Sequence, residues 1–222
     1  QENYGVGAFS VANMEMVMRA IQAAEELRSP LILQIAEVRL NHSPIHMIGP
    51  LMVAAAKKAT VPVAVHFDHG MTFEKIQETL EIGFSSVMFD GSHYPLEENI
   101  KKTKEIVALA KQYEATVEAE IGRVGGSEDG SEDIEMLLTS TTEAKRFAEE
   151  TGVDALAVAI GNAHGMYSGD PDLRLDRLQE INEVVHIPLV LHGGSGISPD
   201  NFKQCIQHGV RKINVATATF QN

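Results

Sequence analysis

Asp68-His69-Gly70 closes an apolar run that begins at Ala64, setting a carboxylate beside an imidazole at what reads as a strand end. Two later apolar runs close in the same way. Residues 154–160 lead to His164-Gly165, and residues 187–191 lead to His192-Gly193-Gly194-Ser195-Gly196. Imidazole is a good zinc donor, and catalytic zinc usually has three protein ligands with a fourth position left open. Histidines capping separate strands can meet only if those strands run parallel around a common axis. His69, His164 and His192 are therefore a candidate metal site.

Carboxylates surround this set. Asp68 shares a strand face with His66, so it can orient a neighbouring imidazole or act as a general acid/base beside a metal-bound substrate. Asp90, Glu118 and Glu120 end strands or lie within them, and the two-residue spacing puts Glu118 and Glu120 on one face. Charge inside a barrel is costly unless paired, hydrogen-bonded or close to a cation. Those carboxylates thus suggest a second metal position or a hydrogen-bond network. His66 and His93 fall near the same region as groups that support the ligands, whereas His42, His46, His186 and His208 read as surface residues. Gly193-Gly194-Ser195-Gly196 and Asn214-Val215-Ala216-Thr217 look like anion holders, because glycine lets backbone amides approach phosphate oxygens.

The elements that would position these groups are short Val/Ile/Leu-rich runs alternating with longer charged, amphipathic segments. Strands are expected at residues 5–9, 31–36, 62–67, 85–89, 116–121, 155–160, 188–191 and 212–215, with helical patterns at 14–27, 73–82, 97–113 and 142–151. In residues 14–27 the apolar positions recur every three or four, as one buried helix face requires. Alternating strands and helices argue for parallel βα units. The expected fold is a closed (β/α)8 TIM barrel spanning residues 1–222 as one domain; an open doubly wound sheet is the other arrangement of such units. The barrel puts loops after strands seven and eight at its usual phosphate site. Only seven residues follow Val215, so the helix covering the last strand is expected to be absent and both ends of the domain incomplete. Residues 125–133 form a glycine-rich, acidic segment, expected to be a mobile loop over the active site.

Composition narrows the function classes. The net charge of −13 disfavours nucleic acid as a partner. No apolar run approaches the roughly 20 residues needed to cross a bilayer, so no membrane partner is expected. Cys205 is the only cysteine, which precludes an internal disulfide and fits a reducing cytoplasm.

His66-Phe67-Asp68-His69-Gly70, Val87 to His93, Glu118 to Gly122, Gly125 to Asp129, Asn162 to Gly165, Leu191 to Gly196 and Lys212 to Thr217 together resemble the class II, zinc-dependent ketose-bisphosphate aldolases, in the family's order along the chain. The resemblance implies zinc on His69, His164 and His192, with Asp90 and Glu120 at an alternative metal position. It implies Asp68 as the catalytic acid/base and Glu128 as the loop acid that moves a proton at the carbon nucleophile. Gly165, Gly193, Gly194, Ser195, Asn214, Val215, Ala216 and Thr217 correspond to the phosphate-binding groups, beside which a monovalent cation (Na+ or K+) often binds. The implied reaction is reversible cleavage of a ketose 1,6-bisphosphate, fructose or tagatose first, by a cytoplasmic homodimer or homotetramer in carbohydrate metabolism such as glycolysis. Cleavage of another phosphorylated keto sugar or keto acid, and a barrel that binds metal and phosphate without turnover, are the other readings. A metal-dependent sugar isomerase would rely more on carboxylate ligands than on three histidines. Two segments depart from the family pattern: Phe9-Ser10 replaces a common Phe-Asn, and Gln34-Ile35-Ala36-Glu37-Val38-Arg39 lacks a serine that fructose-bisphosphate enzymes often carry. The second of these would face the aldehyde half of the substrate.

Overall fold

In the computed structural model, which describes residues 3–126, 135–169 and 171–221, eight parallel strands close into a barrel in chain order. They are β1 Val6–Ser10, β2 Leu31–Ala36, β3 Val63–Gly70, β4 Ser86–Phe89, β5 Thr116–Ile121, β6 Ala155–Val158, β7 Leu189–Leu191 and β8 Val210–Val215. The intervening helices are α1 Met14–Leu27, α2 Ile45–Lys58, α3 Phe73–Ile82, α4 Leu96–Ala110, α5 Thr141–Thr151, α6 Leu175–Val184, α7 Pro199–Gln207 and α8 Thr217–Gln221. Closure pairs Ala8 of β1 with Asn214 of β8, so the open doubly wound sheet is set aside.

The expectation of no helix after β8 is corrected by the short α8. It forms because Thr219 and Phe220 donate to the Ala216 carbonyl at 2.9 and 3.2 Å, while the Arg39 guanidinium sits 4.5 Å above the Phe220 ring. Helix starts follow local chemistry. The Asn13 side chain accepts from Met16 N at 2.9 Å, and the Ser198 hydroxyl accepts from Asn201 N at 3.3 Å, each satisfying an amide the first turn leaves unpaired.

Strand alternation divides the interior into two chemistries. Outward residues such as Leu33, Phe67, Val87, Leu156 and Leu191 are buried against the helices and make the main apolar core. Inward residues are small or polar: Gln34, His66, Asp68, Glu118, Glu120, Lys212 and Asn214 are all buried, with Ala8, Met88, Ala157 and Val190 between them. Among the described residues no helix is long and apolar enough to cross a membrane.

Phe67 is fully buried in the outer layer, while its neighbours His66 and Asp68 face inward. Phe67→Ala should lower stability by about 3–5 kcal/mol, the usual consequence of an unfilled aromatic cavity, as measured by urea unfolding of the metal-free protein. A loss under about 1 kcal/mol would show that the layer between barrel and helices collapses around the gap.

Candidate metal centre and active site

Consecutive strand residues normally point to opposite faces, yet Asp68 and His69 both serve the barrel mouth. A bulge resolves this. Between Phe67 and Gly70, β3 carries one residue more than the facing stretch of β4 from Val87 to Phe89. His69 adopts the left-handed region at φ 44°, an unusual conformation for a residue with a side chain. Gly70 follows because a Cβ there would lie 2.6 Å from the Met88 carbonyl oxygen.

The other two histidines come from loops held by hydrogen bonds. His164 N donates to the Gly125 carbonyl at 2.8 Å, tying the β6 loop to the one after β5. Asn162 Nδ2 donates to the His192 carbonyl at 3.0 Å. Tyr167 accepts from Ala163 N at 2.8 Å and donates its hydroxyl to Gly193 O at 2.9 Å. Gly193 is at φ +66°, and a Cβ would run into the Ala163 carbonyl. The β6 and β7 loops are thereby fixed against each other.

One donor atom from each of His69, His164 and His192 lies within 4.8 Å of the others. Ring centroids are 4.7 Å apart for His69 and His192, 5.0 Å for His69 and His164, and 5.8 Å for His164 and His192. Hydrogen bonds set the tautomers. His69 Nδ1 is 2.7 Å from Asp90 Oδ2, and His192 Nε2 is 2.9 Å from Glu118 Oε1. An ionised carboxylate only accepts, so each of those nitrogens carries the proton. His69 Nε2 and His192 Nδ1 consequently turn lone pairs toward each other at 2.9 Å. Two neutral imidazoles tolerate that contact only with a proton or a metal ion between them. A third imidazole within reach makes the donor set suit a divalent cation such as zinc. Burial, then the neighbouring His69 and His192, push the His164 pKa down to about 3, keeping that ring in the neutral form a metal needs.

The carboxylates divide sharply. Burial would raise Asp68, but His69, the His66 imidazole 3.7 Å away, and Lys212 outweigh it and hold the group well below the ordinary range. Its oxygens also accept from Gln34 Nε2 at 2.9 Å and Asn214 Nδ2 at 3.2 Å. Burial opposes the ionisation of Glu118 too, yet Lys212 and His192 bring it down to about 2. Glu120 goes the other way. Burial, then repulsion from Asp90, raise it to about 8; Oε1 accepts from Val124 N at 3.0 Å, and the buried Oε2 has no hydrogen-bond partner among the described residues. Glu120, Asp90 and His69 also form a cluster with donor atoms within 4.8 Å, so a cation there would relieve both the repulsion and the orphaned oxygen.

Beside the histidines, a small cleft is lined by His164, Gly165, Gly193, Ser195, Asn214, Ala216 and Thr217. Gly194 and Val215, expected among the anion-holding groups, do not line it: Gly194 N is taken by the Asn214 carbonyl at 2.8 Å, and Val215 pairs with Phe9 of β1. Glu128 and the rest of residues 127–134 lie outside the described residues. His93 is exposed and stacks on Tyr94 at 3.9 Å, away from the role expected for it. Sequence reasoning named Gln34 only as part of a departing segment, with no role of its own, and did not single out Lys212, although a lysine alternating with Asn214 in an apolar strand marks both Lys212 and Asn214 as inward-facing.

The whole chain, residues 1–222, matches the family model described as fructose-bisphosphate aldolase class-II. Among solved structures it is similar to the YdjI aldolase from Escherichia coli, with 38% identity and a TM-score of 0.88 over 99% of this chain and 78% of that one. It is also similar to a putative fructose-1,6-biphosphate aldolase from Coccidioides immitis, with 36% identity and a TM-score of 0.90 over 97% and 77%. A fructose-bisphosphate aldolase from Campylobacter jejuni, 24% identical with a TM-score of 0.76 over 99% and 73%, shares the fold.

Glu120 gives a pH test in the metal-free protein. The unfolded carboxyl titrates near 4.5 and the folded one near 8, so the folded state binds that proton more tightly. The stabilisation is complete below the unfolded value and is lost as pH rises through the folded one. Glu120→Gln cannot ionise, so its melting temperature should gain on wild type progressively from about pH 5 to about pH 9. Parallel melting curves across that range would show that Glu120 is already ionised.

Proposed function

Because the chain belongs to the class II fructose-bisphosphate aldolase family, and is therefore an enzyme for aldol cleavage and condensation of a phosphorylated keto sugar, we propose that its substrate is a ketose 1,6-bisphosphate. Fructose 1,6-bisphosphate is the first candidate, cleaved reversibly to dihydroxyacetone phosphate and glyceraldehyde 3-phosphate; tagatose 1,6-bisphosphate is the second. The carrying observation is the Asp68 carboxylate, kept ionised beside three converging imidazoles, two of which, His69 and His192, are held in tautomers that suit a metal.

In this reading zinc is held by His69, His164 and His192, with Asp90 and Glu120 as an alternative position. Zinc when bound supplies Lewis acidity, drawing charge from the ketose carbonyl. Asp68 accepts the proton of the C4 hydroxyl as the C3–C4 bond breaks, its electron pair staying with the C3 fragment and the C4 fragment leaving as aldehyde. Gln34 and Asn214 donate to Asp68 and fix its carboxylate plane. Glu128 returns a proton to C3 in cleavage and removes one in synthesis. Gly165, Gly193, Ser195 and Thr217 hold the phosphate next to the imidazoles, in a cleft whose glycines let backbone approach an anion.

The distal half of the substrate is set by different residues. Ser10 accepts from Gln34 Nε2 at 3.2 Å, and Ala36 is the cross-strand neighbour of Asp68. These are the two departures from the family pattern, and they lie beside Asp68 where the aldehyde fragment would leave. We accordingly expect broader tolerance of the aldehyde than of the dihydroxyacetone phosphate half. A cytoplasmic homodimer or homotetramer in carbohydrate metabolism, glycolysis first, with a sodium or potassium ion near the phosphate, belongs to the same proposal on family resemblance.

Two measurements separate the acids. Asp68→Ala should lose at least about 10²-fold in cleavage of fructose 1,6-bisphosphate, as removal of a general base does, while retaining hydrogen exchange from solvent into dihydroxyacetone phosphate. Glu128→Ala should lose that exchange. Wild-type exchange in Glu128→Ala would move the proton-carrying role elsewhere, and absence of cleavage across a panel of ketose phosphates would overturn the substrate class.

A further inference from the structure

Deep in the barrel, Lys212 reaches toward the site without lining the cleft beside the histidines. Its Nζ is 2.8 Å from Glu118 Oε2 and 2.7 Å from Asn214 Oδ1. An ammonium only donates, so the Asn214 oxygen is compelled to face it, and the amide nitrogen is turned to Asp68 Oδ1 at 3.2 Å. Glu118 spends its second oxygen on His192 Nε2 at 2.9 Å. A buried lysine is rare without a partner, and this one has two acceptors.

We propose that Lys212 and Glu118 act as a positioning pair with two outputs: Glu118 fixes the His192 tautomer that offers Nδ1 to the metal, and Lys212 fixes the Asn214 amide that donates to Asp68. Partners behind ligating histidines commonly set ring orientation and basicity in this way. The pair controls both halves of the site from a position below it. The inference rests on the metal-dependent reading above.

The Lys212 ammonium makes a sharp prediction for an isosteric change. In Glu118→Gln the side-chain oxygen must face Lys212, which leaves the amide NH2 against His192 Nε2. The ring then has to accept at Nε2 and carry its proton on Nδ1, where a metal would bind. Removing the ammonium frees the amide to turn over and present oxygen to His192 again.

The test is zinc affinity, by chelator competition on the zinc-loaded full-length protein, for wild type, Glu118→Gln and the double variant Glu118→Gln/Lys212→Met. Glu118→Gln should bind zinc about 10- to 100-fold more weakly, the range typical for loss of such a partner, and the double variant should recover most of that loss. A volume or packing defect would instead worsen in the double variant. Long-range proton–nitrogen NMR of the wild-type zinc form should place the His192 proton on Nε2, a readout that stands even if a variant does not fold. Wild-type affinity in Glu118→Gln, no recovery in the double variant, or a proton on Nδ1 would overturn the pair. Failure of the wild type itself to bind zinc would overturn the metal-dependent reading first, and this inference with it.

Discussion

Burying charge inside a barrel is unfavourable unless every charge meets a partner, and the interior of this protein is organised around that constraint. A typical barrel of this kind fills its axis with branched apolar side chains. Here the interior carries His66, Asp68, Glu118, Glu120, His192 and Lys212, all buried. The lower charges are satisfied pairwise: Lys212 with Glu118, Glu118 with His192, and Asp68 with Gln34 and Asn214. The upper ones are not. Glu120 faces Asp90 with one oxygen orphaned, and His69 turns a lone pair on His192. Unfavourable contacts gathered in one place, beside Lys212, Glu118 and Asp68 with their partners, suit a cation-binding centre.

The same constraint explains the geometry of β3. A regular strand would point His69 away from the interior and into the apolar layer occupied by Phe67. The bulge and the left-handed backbone at His69 bring it to the barrel mouth with Asp68. Local backbone strain is thereby stored where the proposed base, Asp68, and the proposed metal ligand, His69, stand side by side.

Much of this was legible in the sequence. Parallel βα units and a closed barrel followed from apolar runs at regular spacing, and β2, β5, α1 and α3 fall on the residues expected. The convergence of His69, His164 and His192 followed from each ending such a run. The bulge was not legible, because two-residue alternation is all a strand pattern encodes and an extra residue leaves no compositional mark. For the same reason β3 extends to Gly70 rather than stopping at Phe67. Gly194 was expected to offer its amide to an anion, but glycine content says only that backbone can approach, not which amide the sheet has already engaged. The contact of Gln34 with Asp68 was not legible, because a polar residue in an apolar strand signals its function only once its cross-strand neighbour, His66, and the nearby Asp68 are known.

The central claim is that three imidazoles, brought together from β3 and the loops after β6 and β7, hold a zinc ion at the mouth of the barrel. Anomalous diffraction at the zinc absorption edge from crystals of the zinc-loaded protein tests it most directly. The account predicts one strong peak bonded to nitrogen atoms of His69, His164 and His192, at the roughly 2.0–2.1 Å usual for zinc and imidazole. A crystal of stoichiometrically loaded protein with its zinc elsewhere, and no peak among those three rings or beside Asp90 and Glu120, would contradict it.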